Sequence, residues 1–447
     1  MKRHLSSLLL LLTVGFAAYA GPTYSLQQIV DSAICNNNAV RSARLNVEAS
    51  QLQRKEARTK YFPTVSASAF AFDAKDGLAE MELNLAKNIS PELAQQLAGL
   101  LPPELLAALG TPLSITMMEN GVVVGVTAVQ PIFVGGRIIN GNKLAGVGED
   151  VSRLQLQMSE KEVERTAEKY FWQIVTLEEK RKTIESAEQL LNDIHKDVTV
   201  ALDAGVILKN DLLQVQLRQN ELECQKIKLN NGIALLRMLL AQYCGFTSTD
   251  FALSYSLDAP KPSSVARDHQ LALLKTPEYN LLSKQVEATD LQRKMELGKN
   301  LPSVAVGVGY TFNNILNKNH TSPMVFATLN VPITDWWGGS MAVKRKKIEW
   351  QQAVNQLDDN SQLLKIKMQK ALNDVEEAYT QISLAQRSVE QSSENLRIQR
   401  NCYHAGTITM SNLLEAQMLY QQAVDKRVET IAAYQNALLE YRHSVGE

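Results

Sequence analysis

Beyond its N-terminal leader, the chain of 447 residues has no stretch approaching the roughly 18–20 uninterrupted apolar residues that a helical membrane span needs. It also lacks a charge excess of either sign. Its 46 basic side chains meet 47 acidic ones, a balance that argues against a nucleic-acid binder. Proline and glycine are sparse, at 13 and 22, which excludes a collagen-like or disordered chain. Aromatic residues make up only 6%, while Leu, Ala, Gln, Glu, Lys and Arg abound. That composition favours long helices.

Chemical motifs are missing too. The chain carries no Gly-x-x-x-x-Gly-Lys-Ser/Thr phosphate cradle, no His-Glu-x-x-His and no Gly-x-Ser-x-Gly. His4, His195, His269, His320, His404 and His443 are scattered without ligand spacing. The cysteines are Cys35, Cys224, Cys244 and Cys402. If Cys224 and Cys244 share one helix they stand about 30 Å apart, beyond disulfide reach, and free buried thiols are expected. The chain therefore reads as a non-enzyme, with no catalytic residue, cofactor or metal expected.

What is present begins with a leader. Lys2 and Arg3 precede the apolar run Leu8 to Leu12, and Ala18-Tyr19-Ala20 offers small residues where a signal peptidase reads. Residues 1–20 are read as a secretory signal peptide. No cysteine follows the cleavage site, so no lipid anchor is expected there. An exported chain without a helical span is either soluble or crosses a membrane as β-strands.

The rest is one plan used twice. Ala204-Gly205-Val206, Asn210-Asp211-Leu212-Leu213 and Gln216 recur as Ala405-Gly406-Thr407, Ser411-Asn412-Leu413-Leu414 and Gln417, at a constant offset of 201. Pro131-Ile132 and Pro332-Ile333 share that offset, and each meets a double glycine, Gly135-Gly136 or Gly338-Gly339. Phe62-Pro63-Thr64-Val65 matches Leu301-Pro302-Ser303-Val304 at an offset of 239, so the first copy carries an insertion of 38 residues. The first repeat is expected over 21–243, with strands about 62–72 and 121–133 and a hairpin about 137–243. The second is expected over 244–447, with strands about 302–313 and 323–335 and a hairpin about 340–445.

The helical segments are long. Leu364, Met368, Leu372, Val375, Tyr379, Ile382, Ala385 and Val389 step by threes and fours, a seam for packing against other helices. Gly339 precedes that segment and Gly406 ends it, with no proline between. Some 60 residues make a rod of about 90 Å, against a mean helix of about 11 residues, so something has to be spanned. Gly205 and Gly406 suit tight reversals between antiparallel helices.

The strands read as membrane strands. Val304, Val306, Val308, Tyr310 and Phe312 alternate with Ser303, Ala305, Gly307, Gly309 and Thr311, apolar on one face and small or polar on the other. Val122, Val124, Val126 and Ala128 form one face of a first-copy strand. Each run of about ten residues suits a tilted membrane strand. Tyr61, Phe62, Phe133, Trp336 and Trp337 cluster at strand ends, with Trp336-Trp337 expected to close the fourth strand. They are read as an aromatic girdle at a membrane–water interface. The basic run Lys344-Arg345-Lys346-Lys347 follows, a solvated face or a contact for anionic headgroups.

Four strands cannot close a barrel, and an open sheet edge is not tolerated in lipid, so copies must join through their strands. Two copies give eight strands and a filled interior; three give twelve and a lumen, which the glycine- and serine-rich faces favour.

At this point the sequence resembles the TolC-like outer-membrane efflux proteins over roughly residues 24–445. The resemblance is carried by the Leu/Phe-Pro-Ser/Thr-Val strand openings, the Pro-Ile strand ends with paired glycines and the Ala-Gly hairpin tips, in that order and twice. It implies an α+β membrane protein with four β-strands and long antiparallel helical hairpins per chain. Three chains would assemble as a 12-stranded β-barrel in the outer membrane of a Gram-negative bacterium, continued by an α-helical periplasmic tunnel. The implied partners are two further copies, a periplasmic adaptor (membrane fusion) protein, an inner-membrane pump and outer-membrane lipid, with no nucleic acid. The implied function is a passive conduit for efflux or type I secretion. Cargo choice would lie mostly in the pump.

The resemblance also implies a gate at the periplasmic tips. Spacing from Gly406 places the family's two constriction rings on Asn412 and Glu415, so this chain keeps one carboxylate and replaces the other by an amide. Such a ring attracts cations. Tyr403 matches a family tyrosine that ties neighbouring coils, and Asp211 its acidic partner. Ile408 stands where some relatives place an arginine, which puts the ionic half of that tie in doubt. The insertion, about residues 73–118, contains Pro91-Glu92-Leu93-Ala94 and Pro103-Glu104-Leu105-Leu106, each proline expected to open a short helix. It is expected at the outer mouth, as a surface loop or an entrance cover.

The rival readings are a periplasmic adaptor or structural coiled-coil protein without a pore, and an external fibre. The first does not account for four alternating strands with aromatic ends or for two hairpins in duplicate, and the second would leave the insertion and strands open to protease on intact cells and show no pore.

Overall fold

The computed structural model describes residues 22–74, 79–83, 113–117, 120–259, 261–262, 266–314, 318–333 and 335–447, with residues 90, 93 and 102. The leader at 1–20 lies outside the described residues, as do most of the residues expected to form the two short helices of the insertion. The chain divides into two compact units. One comprises residues 1–51, 147–287 and 351–447, and the other residues 52–146 and 288–350.

The second unit is built on a four-stranded antiparallel sheet in the order β2-β5-β7-β8. Its strands are β2 (Thr64–Asp73), β5 (Asn120–Val134), β7 (Ser303–Asn314) and β8 (His320–Asn330). Registry aligns one face as Val65, Ala67 and Ala69 on β2, Val124, Val126 and Ala128 on β5, Val306, Val308 and Tyr310 on β7, and Pro323, Val325 and Ala327 on β8. This is the aliphatic face expected from the period-2 pattern. The register shifts between Pro131 and Phe133, so that Phe133 pairs with Val304 and joins the aliphatic face. A one-residue bulge has this effect because it reverses the alternation beyond it.

The other face departs from expectation. Ser66, Ser68, Thr127, Gly125, Gly309 and Thr311 lie there, as small or polar residues should, but so do Phe70, Phe72, Met324 and Phe326. The glycines are seats for these bulky groups: Phe72 lies over Gly121, Phe326 over Gly307 and Met324 over Gly309. A small and polar face was expected from β7; the aromatic rings and Met324 stand on the edge strands, and the inner strand β5 adds Val123 and Val129.

The fourth strand also differs. It ends at Asn330 rather than about 335, and Ile333 N–H bonds to the Val331 carbonyl in a tight turn. Pro332, with no N–H, cannot continue the ladder. Trp336 and Trp337 therefore lie in a helix, not on a strand, and the alternation expected of them does not apply. Gly338 and Gly339 lie inside that helix too, whereas Gly135 and Gly136 turn the chain at φ of 64° and 71°. Duplicated sequence has given two backbones at this point. In the insertion, β3 (Ala79–Leu83) and β4 (Leu113–Met117) pair antiparallel.

The first unit is helical. α1 (Leu26–Asn36) starts at a capping box between Ser25 and Gln28, which satisfies two helix-end donors reciprocally, and α2 (Asn38–Thr59) follows. The hairpins are α3 (Arg137–Asp203) with α4 (Lys209–Cys244), and α7 (Asp335–His404) with α8 (Met410–Ser444). Between them come α5 (His269–Leu273) and α6 (Pro277–Lys299). The long arms have 67 and 70 residues and the return arms 36 and 35, so the duplication is preserved in length.

Three apolar clusters hold this unit. One joins α1, α3 and α4 through Ile29, Phe171, Ile174 and Leu240. It is capped by a short parallel pair, β1 (Thr23–Ser25) with β6 (Ala252–Ser254), which sequence patterning did not reveal. A second joins α5, α7 and α8, and here the expected α7 seam is realised: Met368 and Val375 are buried, with Leu364, Leu372, Tyr379 and Ile382 packed on them. A third joins α3, α4 and the start of α8 through Leu191, Val215, Leu222, Met410 and Leu413. All four cysteines are free, but only Cys244 is buried; Cys35 and Cys224 are exposed and Cys402 is half-buried. No described helix is long and apolar enough to cross a membrane.

Candidate functional site

The two hairpin tips close on the same backbone motif. In the first, Gly205 N–H bonds to Leu202 O and Val206 N–H to Ala201 O; in the second, Gly406 N–H bonds to Tyr403 O and Thr407 N–H to Cys402 O. Gly205 and Gly406 sit at φ of 73° and 69°. This is the left-handed cap that satisfies the last carbonyls of a helix and favours glycine. A Cβ at either position would meet nothing within 4 Å, so the requirement is conformational and not steric.

Asp211 lies in the first turn of α4, where a carboxylate is favoured by the helix dipole. Tyr403, in the last turn of α7, packs partly against the third apolar cluster. Burial, followed by the nearby carboxylates of Asp211 and Asp197, pushes the Tyr403 phenol above its ordinary range. The structure thus brings Tyr403 and Asp211 into electrostatic reach across the two hairpins. Asn412 accepts a hydrogen bond from Thr409 Oγ1 at 3.1 Å. Asn412 and Glu415 are both exposed, one helical turn apart on α8 and thus on one face. Their neighbours Met410 and Leu413 are buried, at 1% exposure each. The helix therefore buries its apolar side against the first hairpin and leaves Asn412 and Glu415 outward.

In the second unit, the antiparallel order puts the starts of β2 and β7 and the ends of β5 and β8 at one edge of the sheet. Tyr61, Phe62 and Phe133 gather there, all exposed, and Gln130 Nε2 donates to the Tyr61 carbonyl at 3.0 Å. Trp337, in the first turns of α7, is 78% exposed. Trp336 lies beside it in the helix, with its side chain outside the described set. The aliphatic face is open as well, Val325 most of all at 84% exposure. Edges β2 and β8 have no further strand beyond them among the described residues. Lys344, Arg345 and Lys347 are exposed on α7, and Lys346 pairs with Glu349 at 2.6 Å.

Among the described residues no three His, Cys, Asp or Glu side chains gather as a metal site. Phe70 and Phe72 went unread because serine and alanine, both small, alternate through the first part of β2, whereas Phe326 was expected opposite Val325 and Ala327 and lies there.

Residues 270–447 match the family described as outer membrane efflux protein. No curated protein sequence matches the chain. Its fold is found in solved outer-membrane channels. CmeC of Campylobacter jejuni superposes with a TM-score of 0.73 at 16% identity, covering 94% of this chain and 85% of that one. VceC of Vibrio cholerae gives 0.72 at 12% identity, covering 94% and 96%. The open state of the MtrE channel of Neisseria gonorrhoeae gives 0.71 at 16% identity, covering 94% and 88%. The expected fold class, duplicated strands with long helical hairpins, is the fold of these channels.

Proposed function

We propose that this chain, which matches the outer membrane efflux protein family over residues 270–447 and shares the fold of solved outer-membrane channels over 94% of its length, is the channel-tunnel of a tripartite efflux or type I secretion system. It acts as a passive conduit from periplasm to exterior and carries out no chemistry of its own. One observation carries the reading: a four-stranded sheet whose two edges are unpaired among the described residues, with an exposed aliphatic face, is continuous in sequence with helices of 67 and 70 residues.

Open edges in lipid leave unsatisfied backbone groups, each costing several kcal/mol. Closure with two further copies removes every edge and yields twelve strands with a lumen. The aliphatic face then meets lipid. The face bearing Ser66, Ser68, Thr127 and Thr311 lines the pore, with Phe70, Phe72 and Phe326 projecting into it. Tyr61, Phe62, Phe133 and Trp337 stand at the periplasmic rim as the interfacial girdle. The long arms reach across the periplasm to tips at Gly205 and Gly406, where an adaptor and inner-membrane pump engage. Gating is a two-state movement of the tips biased by that partner, with Asn412, Glu415, Tyr403 and Asp211 at the constriction.

Single-channel conductance of the detergent-extracted oligomer in a planar bilayer tests this. A small, cation-selective conductance that loses selectivity in Glu415→Ala supports the conduit and places the constriction at the second hairpin. A protein that leaves membranes in a salt wash and forms no pore is a periplasmic adaptor or coiled-coil protein instead.

A further inference from the structure

The antiparallel order that gathers aromatic groups at one edge of the sheet gathers four helix ends there too. α2 leads into β2 and α6 into β7, while β5 leads into α3 and β8 into α7. Within the sheet-bearing unit these stretches, residues 52–60, 137–146, 288–300 and 335–350, carry 13 basic side chains and five acidic ones. The whole chain has 46 basic against 47 acidic. The four strands contain no lysine or arginine. The connections that leave the opposite edge, residues 74–119 and 315–319, carry six acidic side chains and three basic ones. In this unit the basic excess is thus confined to one edge.

Local pairing uses only part of that excess. Asp290 takes Arg293 and Lys294, and Glu296 takes Lys299. Glu349 takes Lys346 at 2.6 Å, with Arg345 more distant at 3.9 Å. Lys55, Arg58, Lys60, Lys143, Lys344 and Lys347 are exposed and make no ion pair among the described residues. Helix dipoles do not account for the pattern. They favour cations at the ends of α2 and α6, but Arg137 opens α3, where the dipole opposes a cation. Its Nε donates to the Val134 carbonyl at 3.2 Å. Lys60 directly precedes Tyr61 and Phe62. Lys344 stands two turns, about 10 Å, beyond Trp337 on the same helical face.

We infer that these helix ends form a basic collar that docks on anionic phospholipid headgroups of the periplasmic leaflet, just below the aromatic girdle. The inference rests on the conduit reading for the presence of a membrane, and on this charge distribution for the contact. Like charges held close together repel, and an anionic surface relieves that repulsion by supplying the counter-charge. The headgroup layer extends about 5–7 Å beyond the hydrocarbon, and charge attraction reaches about 8–10 Å. A lysine can also turn its long stem towards the interface. Lys60 and Lys344 therefore fall within reach of headgroups when Tyr61 and Trp337 sit at the interface. Rings on one side of the leaflet surface and cations on the other fix the depth at which the barrel sits.

The test places the full-length oligomer in vesicles of phosphatidylcholine and phosphatidylglycerol, with one lipid brominated at a time, and reads the quenching of tryptophan fluorescence. Trp336, Trp337 and Trp350 all belong to this unit. Brominated phosphatidylglycerol is expected to quench the parent more strongly than brominated phosphatidylcholine at equal mole fraction. The double variants Lys344→Gln with Lys347→Gln, and Lys55→Gln with Arg58→Gln, should each lower that preference by about five-fold or more. Lys318→Gln, in the connection at the other edge, should keep it. Equal quenching of the parent by the two lipids, or an undiminished preference in both double variants, overturns the collar. Either result leaves the conduit reading standing, since quenching by brominated phosphatidylcholine alone shows entry into the bilayer. Quenching by neither lipid overturns both. Inorganic phosphate at matched ionic strength should leave the preference in place, and its loss there marks a free-anion site and overturns the lipid contact.

Discussion

Gly135, in the turn after β5, and Gly298, near the end of α6, meet backbone to backbone: a Cβ on either would run into the carbonyl of the other. The contact joins the first repeat to the second within the sheet-bearing unit. Gly298→Ala is expected to destabilise by about 1–3 kcal/mol, since backbone cannot move aside as a side chain can. Gly148, inside α3 with nothing within 4 Å of a built Cβ, behaves oppositely. Gly148→Ala should stabilise by about 0.5–1 kcal/mol through helix propensity. Denaturant midpoints of the two variants against the parent check both signs.

The hairpin tips should respond to conformation alone. Gly205→Ala and Gly406→Ala each place a Cβ in a left-handed backbone, at a cost of about 1 kcal/mol, whereas Asn at either position is tolerated better. Limited proteolysis should show faster cleavage near the altered tip in the alanine variants and less in the asparagine ones.

Burial and the neighbouring Glu164 push Glu168 up to about 7, against the pull of Arg442. A carboxyl whose folded pKa exceeds its unfolded one binds more protons in the folded state, so its contribution to stability is present below about 4.5 and lost as pH rises to about 7. The full effect is of the order of 3 kcal/mol. Glu168→Gln should therefore be more stable than the parent at pH 8 and lose most of that advantage at pH 5. His443 is lowered, mainly by burial, and acts in the opposite sense, favouring the folded state above the ordinary histidine range. Thermal midpoints at the two pH values, in the parent and in Glu168→Gln, separate the two residues.

Cys244 is buried and its thiol is pushed up to about 12 by desolvation. Since the thiolate is the reactive form, iodoacetamide should leave Cys244 unmodified in the native protein and modify it after unfolding in urea. Mass spectrometry of the peptides reads this directly.

Tyr403 lies within reach of Asp211 and Asp197 without a hydrogen bond to either among the described residues. Tyr403→Phe keeps the ring in the third apolar cluster and should change closed-state conductance by less than about two-fold, a few tenths of a kcal/mol. Bilayer recordings of this variant against the parent would show whether the tip is held by the phenol.

Much of the molecule was readable from the chain alone. The α7 seam at Met368, Val375 and their neighbours, the aliphatic alternation of β7, and the paired Gly205 and Gly406 reversals all follow from periods of 3.6 and 2 and from local backbone preference. These signals need only residues that are neighbours in sequence. Tertiary structure decided the rest. The shift at Ile132 that turns Phe133 to the aliphatic face depends on the partner β7. The seating of Phe326 on Gly307 depends on which strand lies alongside. Gly338 and Gly339 became helical while Gly135 and Gly136 did not, although the sequences match. Arg218 found Gln417 and Gln421 about 200 positions away. No local period encodes a contact between two hairpins, because it exists only once their apolar faces have docked and the polar side chains left between them must find partners.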